Sequence, residues 1–153
     1  MYIAVVVLTM LVLPAASVLL ELTFSPGASA VAAIGRWFVF WSVGVRLALA
    51  GFRQIVQPGF TAREIFHMMD DDALPIVREL GIANLASATV ALVAIFVPTF
   101  VLPAALYATI FYGVAGVRHA MERNRSANET IAMMSDLFIA LVLLGYIAAA
   151  ALG

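Results

Sequence analysis

Five polar or ionisable residues stand inside stretches that are otherwise apolar: Arg46, Glu79, Asn84, His119 and Asp136. A charge held in hydrocarbon costs on the order of several kcal/mol unless it is paired or reaches water, so such residues mark ion or proton paths, ligand sites, or pairs that hold helices in register. Two carboxylates and one permanently charged guanidinium, with an imidazole and a carboxamide beside them, make a set able to compensate its own charge and to exchange protons. Arg46 alone cannot neutralise both Glu79 and Asp136. A second acid–base combination, Glu21 and Arg36, falls near the facing ends of two consecutive apolar runs and is expected to pair.

Recognised reaction motifs are missing from the sequence. It contains no HExxH, no phosphate-cradling glycine loop, no dinucleotide fingerprint and no serine in a nucleophile elbow, so no catalytic residue is assigned. His67 and His119 lie far apart in the chain, which argues against a bis-histidine haem, and no cofactor is expected. The Asp70-Asp71-Asp72 triplet lacks further oxygen or nitrogen ligands and precedes an apolar run. It reads as helix capping and solubility, with no metal expected. Absence of cysteine excludes disulfides and thiolate metal sites.

The elements that must position these residues follow from composition. Of the 153 residues, 65% are hydrophobic and 11% charged, with a mean hydropathy of +1.09, against roughly 25% charged in soluble domains. The chain therefore reads as an all-α integral membrane bundle: one domain, 1–153, with five transmembrane helices at about 2–22, 34–56, 76–97, 99–118 and 128–152. Pro14 should bend the first. That run is expected to be retained: Ala28-Ser29-Ala30 resembles a processing site, but no basic residue precedes the apolar stretch. A short interfacial amphipathic helix is expected at 61–69, lying on the membrane surface, opened by a Thr61/Glu64 capping box and with Ala62, Ile65, Phe66 and Met69 on its apolar side. Ser126 and Glu129 form a second capping box at the start of the last span. In 76–97, small residues (Gly81, Ala83, Ala86, Ser87, Ala88, Ala91, Ala94) occur on nearly every side, which predicts a central helix with protein neighbours all round.

Arginine placement sets the expected orientation. The second-to-third and fourth-to-fifth connections with their flanks hold Arg53, Arg63, Arg78, Arg118, Arg123 and Arg125, while the third-to-fourth link carries no charge. By the positive-inside rule the N-terminus is cytoplasmic and the C-terminus outside. Counted from the cytoplasmic helix ends, Arg46, Asn84 and Asp136 each lie about 10 Å deep, with Glu79 and His119 shallower. A net charge of −1 gives no reason to expect nucleic acid as a partner. Membrane lipids, further copies of the chain and other membrane subunits are the expected partners.

With RELGIANLASA, GVRHAMER and MSDLFIAL in view, the chain resembles an uncharacterised family of small polytopic bacterial inner-membrane proteins over roughly residues 35–150. That family carries an acid-x-glycine-x-x-asparagine-leucine motif on one span, a histidine closing the next and an aspartate early in the last. The matching positions are Glu79, Gly81, Asn84, Leu85, His119 and Asp136. The chain departs from the family pattern at GFRQIVQPGF and HMMDDDALPIV, where a histidine and a tryptophan-containing turn are usual. The resemblance implies a helical membrane fold and the same polar residues, and no activity. The expected function is an oligomeric or accessory subunit of a membrane assembly. The alternatives are a small transporter or proton-coupled channel using the polar cluster and, more weakly, a quinone- or lipid-linked enzyme.

Overall fold

The structure, a computed structural model, describes residues 2–152. Among them, five helices are long and apolar enough to cross a membrane: α1 Ile3–Phe24, α2 Ala30–Val56, α3 Leu74–Val93, α4 Val101–Met121 and α5 Ala127–Leu152. A short helical strap, 58–65, joins α2 to the loop before α3.

Local sequence explains how each helix starts and where it widens. In α1 a π turn at Leu8–Val12 comes just before Pro14. A wide turn there relieves the clash between the proline ring and the carbonyl four residues earlier, so the expected bend is expressed as a bulge. The Ser29 side chain caps α2 by accepting from the Ala32 amide. A second π turn, Val39–Val45, interrupts α2 immediately before Arg46. The Ser126/Glu129 capping box forms in both directions: Ser126 N–H donates to Glu129 Oε2 at 2.8 Å and Glu129 N–H to Ser126 Oγ at 3.2 Å.

Two helix pairs, α2 with α3 and α4 with α5, make the most extensive contacts, and α1 packs on α2 and α5. The core is an apolar layer shared by Val39 and Val43 of α2, Ala105 and Ala108 of α4, and Ile139 and Leu143 of α5, each fully enclosed. The α2–α3 contact is backbone on backbone. A Cβ on Gly51 would fall 2.6 Å from the Gly81 carbonyl oxygen, and one on Gly81 would fall 2.9 Å from that of Gly51.

The structure departs from expectation at α3 and at the strap. The enclosed helix of the bundle is α2, not α3. Along α3 only Val77, Gly81, Asn84, Ala88 and Ala91 are buried, a single stripe spaced by four and three residues. On the rest of the helix, Ser87 and Thr89 donate to their own chain at the Ala83 and Leu85 carbonyls. Small polar residues thus need no neighbouring helix, because the backbone satisfies them. The strap begins at Pro58 rather than Thr61 and ends at Ile65. The Thr61/Glu64 box does not form, since Thr61 already lies inside the helix and is buried. Ala62 is fully enclosed, but Met69 is exposed, because the chain turns at His67 with φ of +53°.

Candidate functional site

A cavity of about 330 Å³ opens between α2, α3, α4 and α5 at the end of the bundle that carries the strap. Arg46, Asn84, His119 and Asp136 all line it. So does Tyr112, while Phe60, Ile65 and Phe66 of the strap and its edge form a lid of apolar side chains. Each helix contributes through its own stripe: Arg46 follows the π turn of α2, Asn84 sits on the buried stripe of α3, and His119 lies in the last turn of α4. The Arg46 guanidinium is within electrostatic reach of the Asp136 carboxylate.

Glu79 does not join them; it is exposed on α3. Five residues separate it from Asn84, which on a helix rotates a side chain by roughly 140°, so the two cannot share a face. The cluster is therefore Arg46, Asn84, His119 and Asp136 without Glu79. At the other end of the bundle, Arg36 donates to Glu21 Oε1 at 3.0 Å and the Trp37 indole N–H to Glu21 Oε2 at 2.6 Å. The Trp41 indole donates to Ser17 Oγ at 3.0 Å, so both tryptophans tie α2 to α1.

Three further groups complete the site. Gln54, buried on α2, accepts through Oε1 from Asn84 Nδ2 at 2.8 Å, leaving Asn84 Oδ1 enclosed with no hydrogen-bond partner. Its position three residues after Gly51, on the face that meets α3, is a signal that helical spacing carried. The Tyr112 hydroxyl donates to the Ser42 carbonyl at 2.6 Å and Ser42 Oγ to the Thr9 carbonyl at 3.2 Å, tying α4 through α2 to α1. Glu129 is the third. It caps α5, yet it is also completely buried, and its Oε2 lies 2.8 Å from His67 Nε2.

That contact moors the strap. The Glu129 carboxylate, by hydrogen bond and then by charge, raises the His67 pKa above its ordinary value, with Glu122 and Glu64 adding to the effect. The linkage sign follows: the mooring is at full strength below the ordinary histidine pKa and weakens as pH rises through the raised value. A second mooring is the Arg53 guanidinium, 3.5 Å over the ring of Phe60. A non-glycine residue held at positive φ costs on the order of 1 kcal/mol or more, so the His67 turn is held by these contacts rather than by its own preference. The Asp70–Asp72 triplet caps: Asp70 accepts from the Asp72 amide, and Asp71 pairs with Arg63 at 2.8 Å.

The chain belongs to a family of unknown function (DUF6790), whose profile matches residues 4–152. No curated protein and no solved structure matches the chain.

Proposed function

We propose that this member of a family of unknown function binds a small amphipathic molecule within the bilayer, in the bacterial inner membrane, with the strap on the cytoplasmic side. The observation that carries this reading is the composition of the cavity wall: mostly apolar, with Arg46, Asn84, Tyr112 and Asp136 converging from four helices. Its volume of about 330 Å³ falls at the lower end of small-ligand pockets, roughly 300–1,000 Å³. Arg46 supplies fixed donors, Asp136 an acceptor and Asn84 an unused acceptor, so the site suits a polar head with both donors and acceptors on an apolar body. Beyond the pocket, the enclosed layer of Val39, Val43, Ala105, Ala108, Ile139 and Leu143 favours a dead-end site over a continuous channel. The arginine-rich connections support the cytoplasmic assignment of the strap.

Extraction and mass spectrometry of protein purified from native membranes tests the reading. Wild-type protein should carry a small molecule that Ala115→Trp, which fills the cavity, excludes. Protein that carries none, and that takes up none from a total membrane extract, would remove the basis for it.

A second reading keeps the accessory or oligomeric role. Arg78 and Glu79 are adjacent and both exposed on the uncovered face of α3. Around a two-fold axis, Arg78 of one copy meets Glu79 of the other and the reverse, beside the small residues Ala83 and Ala86. Because the chain has no cysteine, Ala86→Cys provides a single cross-linking site. A disulfide-linked dimer in native membranes supports this assembly, and a monomer under oxidant counts against it.

A further inference from the structure

Where α4 runs into α5, His119, Glu122 and Glu129 each offer one donor atom, and these atoms lie within 4.8 Å of one another. We propose that this group is a binding site for a divalent transition-metal ion, sharing His119 with the wall of the cavity. The inference goes beyond the ligand-binding reading and does not depend on it.

The first support is the state of the donors. Glu129 is completely buried, and its Oε1 has no hydrogen-bond partner; His119 Nδ1 is likewise enclosed and without one. Leaving a buried carboxylate oxygen unsatisfied costs on the order of 1–3 kcal/mol or more. A cation bound there removes that cost at both atoms together. The second support is charge. His67 lies on Oε2 of Glu129, yet two carboxylates within 4.8 Å of each other leave a surplus of negative charge beside the open Oε1.

Preorganisation is visible in the connecting turn. One Arg125 nitrogen donates to the carbonyls of His119, Ala120 and Glu122, closing the end of α4, and the Ser126/Glu129 box opens α5 a few residues later. His67 Nε2 holds the other Glu129 oxygen at 2.8 Å, the kind of outer contact that orients a ligating group. Bonds of about 2.0–2.2 Å to nitrogen and carboxylate oxygen need the donors somewhat closer together than they stand. Glu122, half-buried at the C-cap of α4, is the least enclosed of the three side chains and the one that moves to close that gap. One imidazole and two carboxylates, with no thiolate, select Zn²⁺, Mn²⁺ or Fe²⁺ over softer ions, and the imidazole disfavours Mg²⁺ and Ca²⁺.

The test uses full-length protein in nanodiscs, stripped with chelator and titrated with Zn²⁺, and in parallel with Co²⁺ followed by its visible absorption. Wild type should bind about one equivalent. Glu122→Gln and His119→Gln should each weaken binding by at least about tenfold and alter the Co²⁺ spectrum. Glu122→His, which replaces one ligand with another, should retain the site. Glu129 also caps α5, so its replacement would not separate loss of a ligand from loss of the helix end. Changing Asp70, Asp71 and Asp72 together to Asn should leave the affinity unchanged. Wild-type protein that takes up neither ion, variants of Glu122 and His119 that bind like wild type, or loss of binding in the aspartate-triplet variant would each overturn the proposal.

Discussion

The two ends of this bundle handle buried charge in opposite ways. At the end away from the strap, both Glu21 oxygens are partnered: Arg36 donates to one and Trp37 to the other. At the strap end, Asn84 Oδ1, His119 Nδ1 and Glu129 Oε1 are enclosed with no hydrogen-bond partner, around a cavity that also holds Arg46 and Asp136. Polar groups that exist to fasten helices are satisfied by the chain itself. Groups left open in a low-dielectric interior carry a cost that a bound species recovers, which is why the proposed ligand and metal sites both lie at the strap end.

That contrast can be broken experimentally. The largest stability loss is expected from Gly81→Leu, which pushes a branched side chain into the Gly51 carbonyl and separates α2 from α3 beneath Asn84. About 3 kcal/mol should be lost in a detergent-denaturation titration, together with any pocket ligand. Arg46→Met follows. It leaves Asp136 without its facing cation and should cost about 2 kcal/mol, less than for a fully enclosed pair. Replacing Asp136 by Asn in the same chain should restore most of that, and a double-mutant cycle measures the coupling.

His67→Ala acts on the strap end alone and leaves the apolar core intact. It removes the contact from the strap to Glu129, so residues 58–69 should gain hydrogen exchange and protease sensitivity while α1 to α5 stay protected. Unchanged protection of the strap would show that the Arg53–Phe60 contact is sufficient to hold it. The smallest effect is expected at the opposite end. Glu21→Gln should cost about 1 kcal/mol or less, because Arg36 is partly exposed, and should leave ligand and metal binding untouched. A loss of binding there would erase the distinction between the two ends.

Much of the frame is legible in residue order. Apolar run length places five spans, and the Ser126/Glu129 pattern marks the start of the last. Helix ends were less legible: α3 stops at Val93, short of the end of the apolar run, because the chain must turn before Pro98. Within the site, Arg46, Asn84, His119 and Asp136 stand out as costly residues in apolar runs. Glu79 stands out equally, and only its angular offset from Asn84 separates it from the others. Gln54 stayed hidden because it looks like part of a polar helix end, and Glu129 was legible only as a cap, because a capping residue is ordinarily solvated.

By itself, then, the sequence determined which segments leave water and which side chains are expensive there, since both are properties of single residues and their immediate neighbours. Which faces meet was decided only in three dimensions. Small residues permit close approach on any side, and the mutual fit of Gly51 and Gly81 picks one. That choice buries α2, leaves most of α3 uncovered, and closes the strap over four polar side chains drawn from distant parts of the chain.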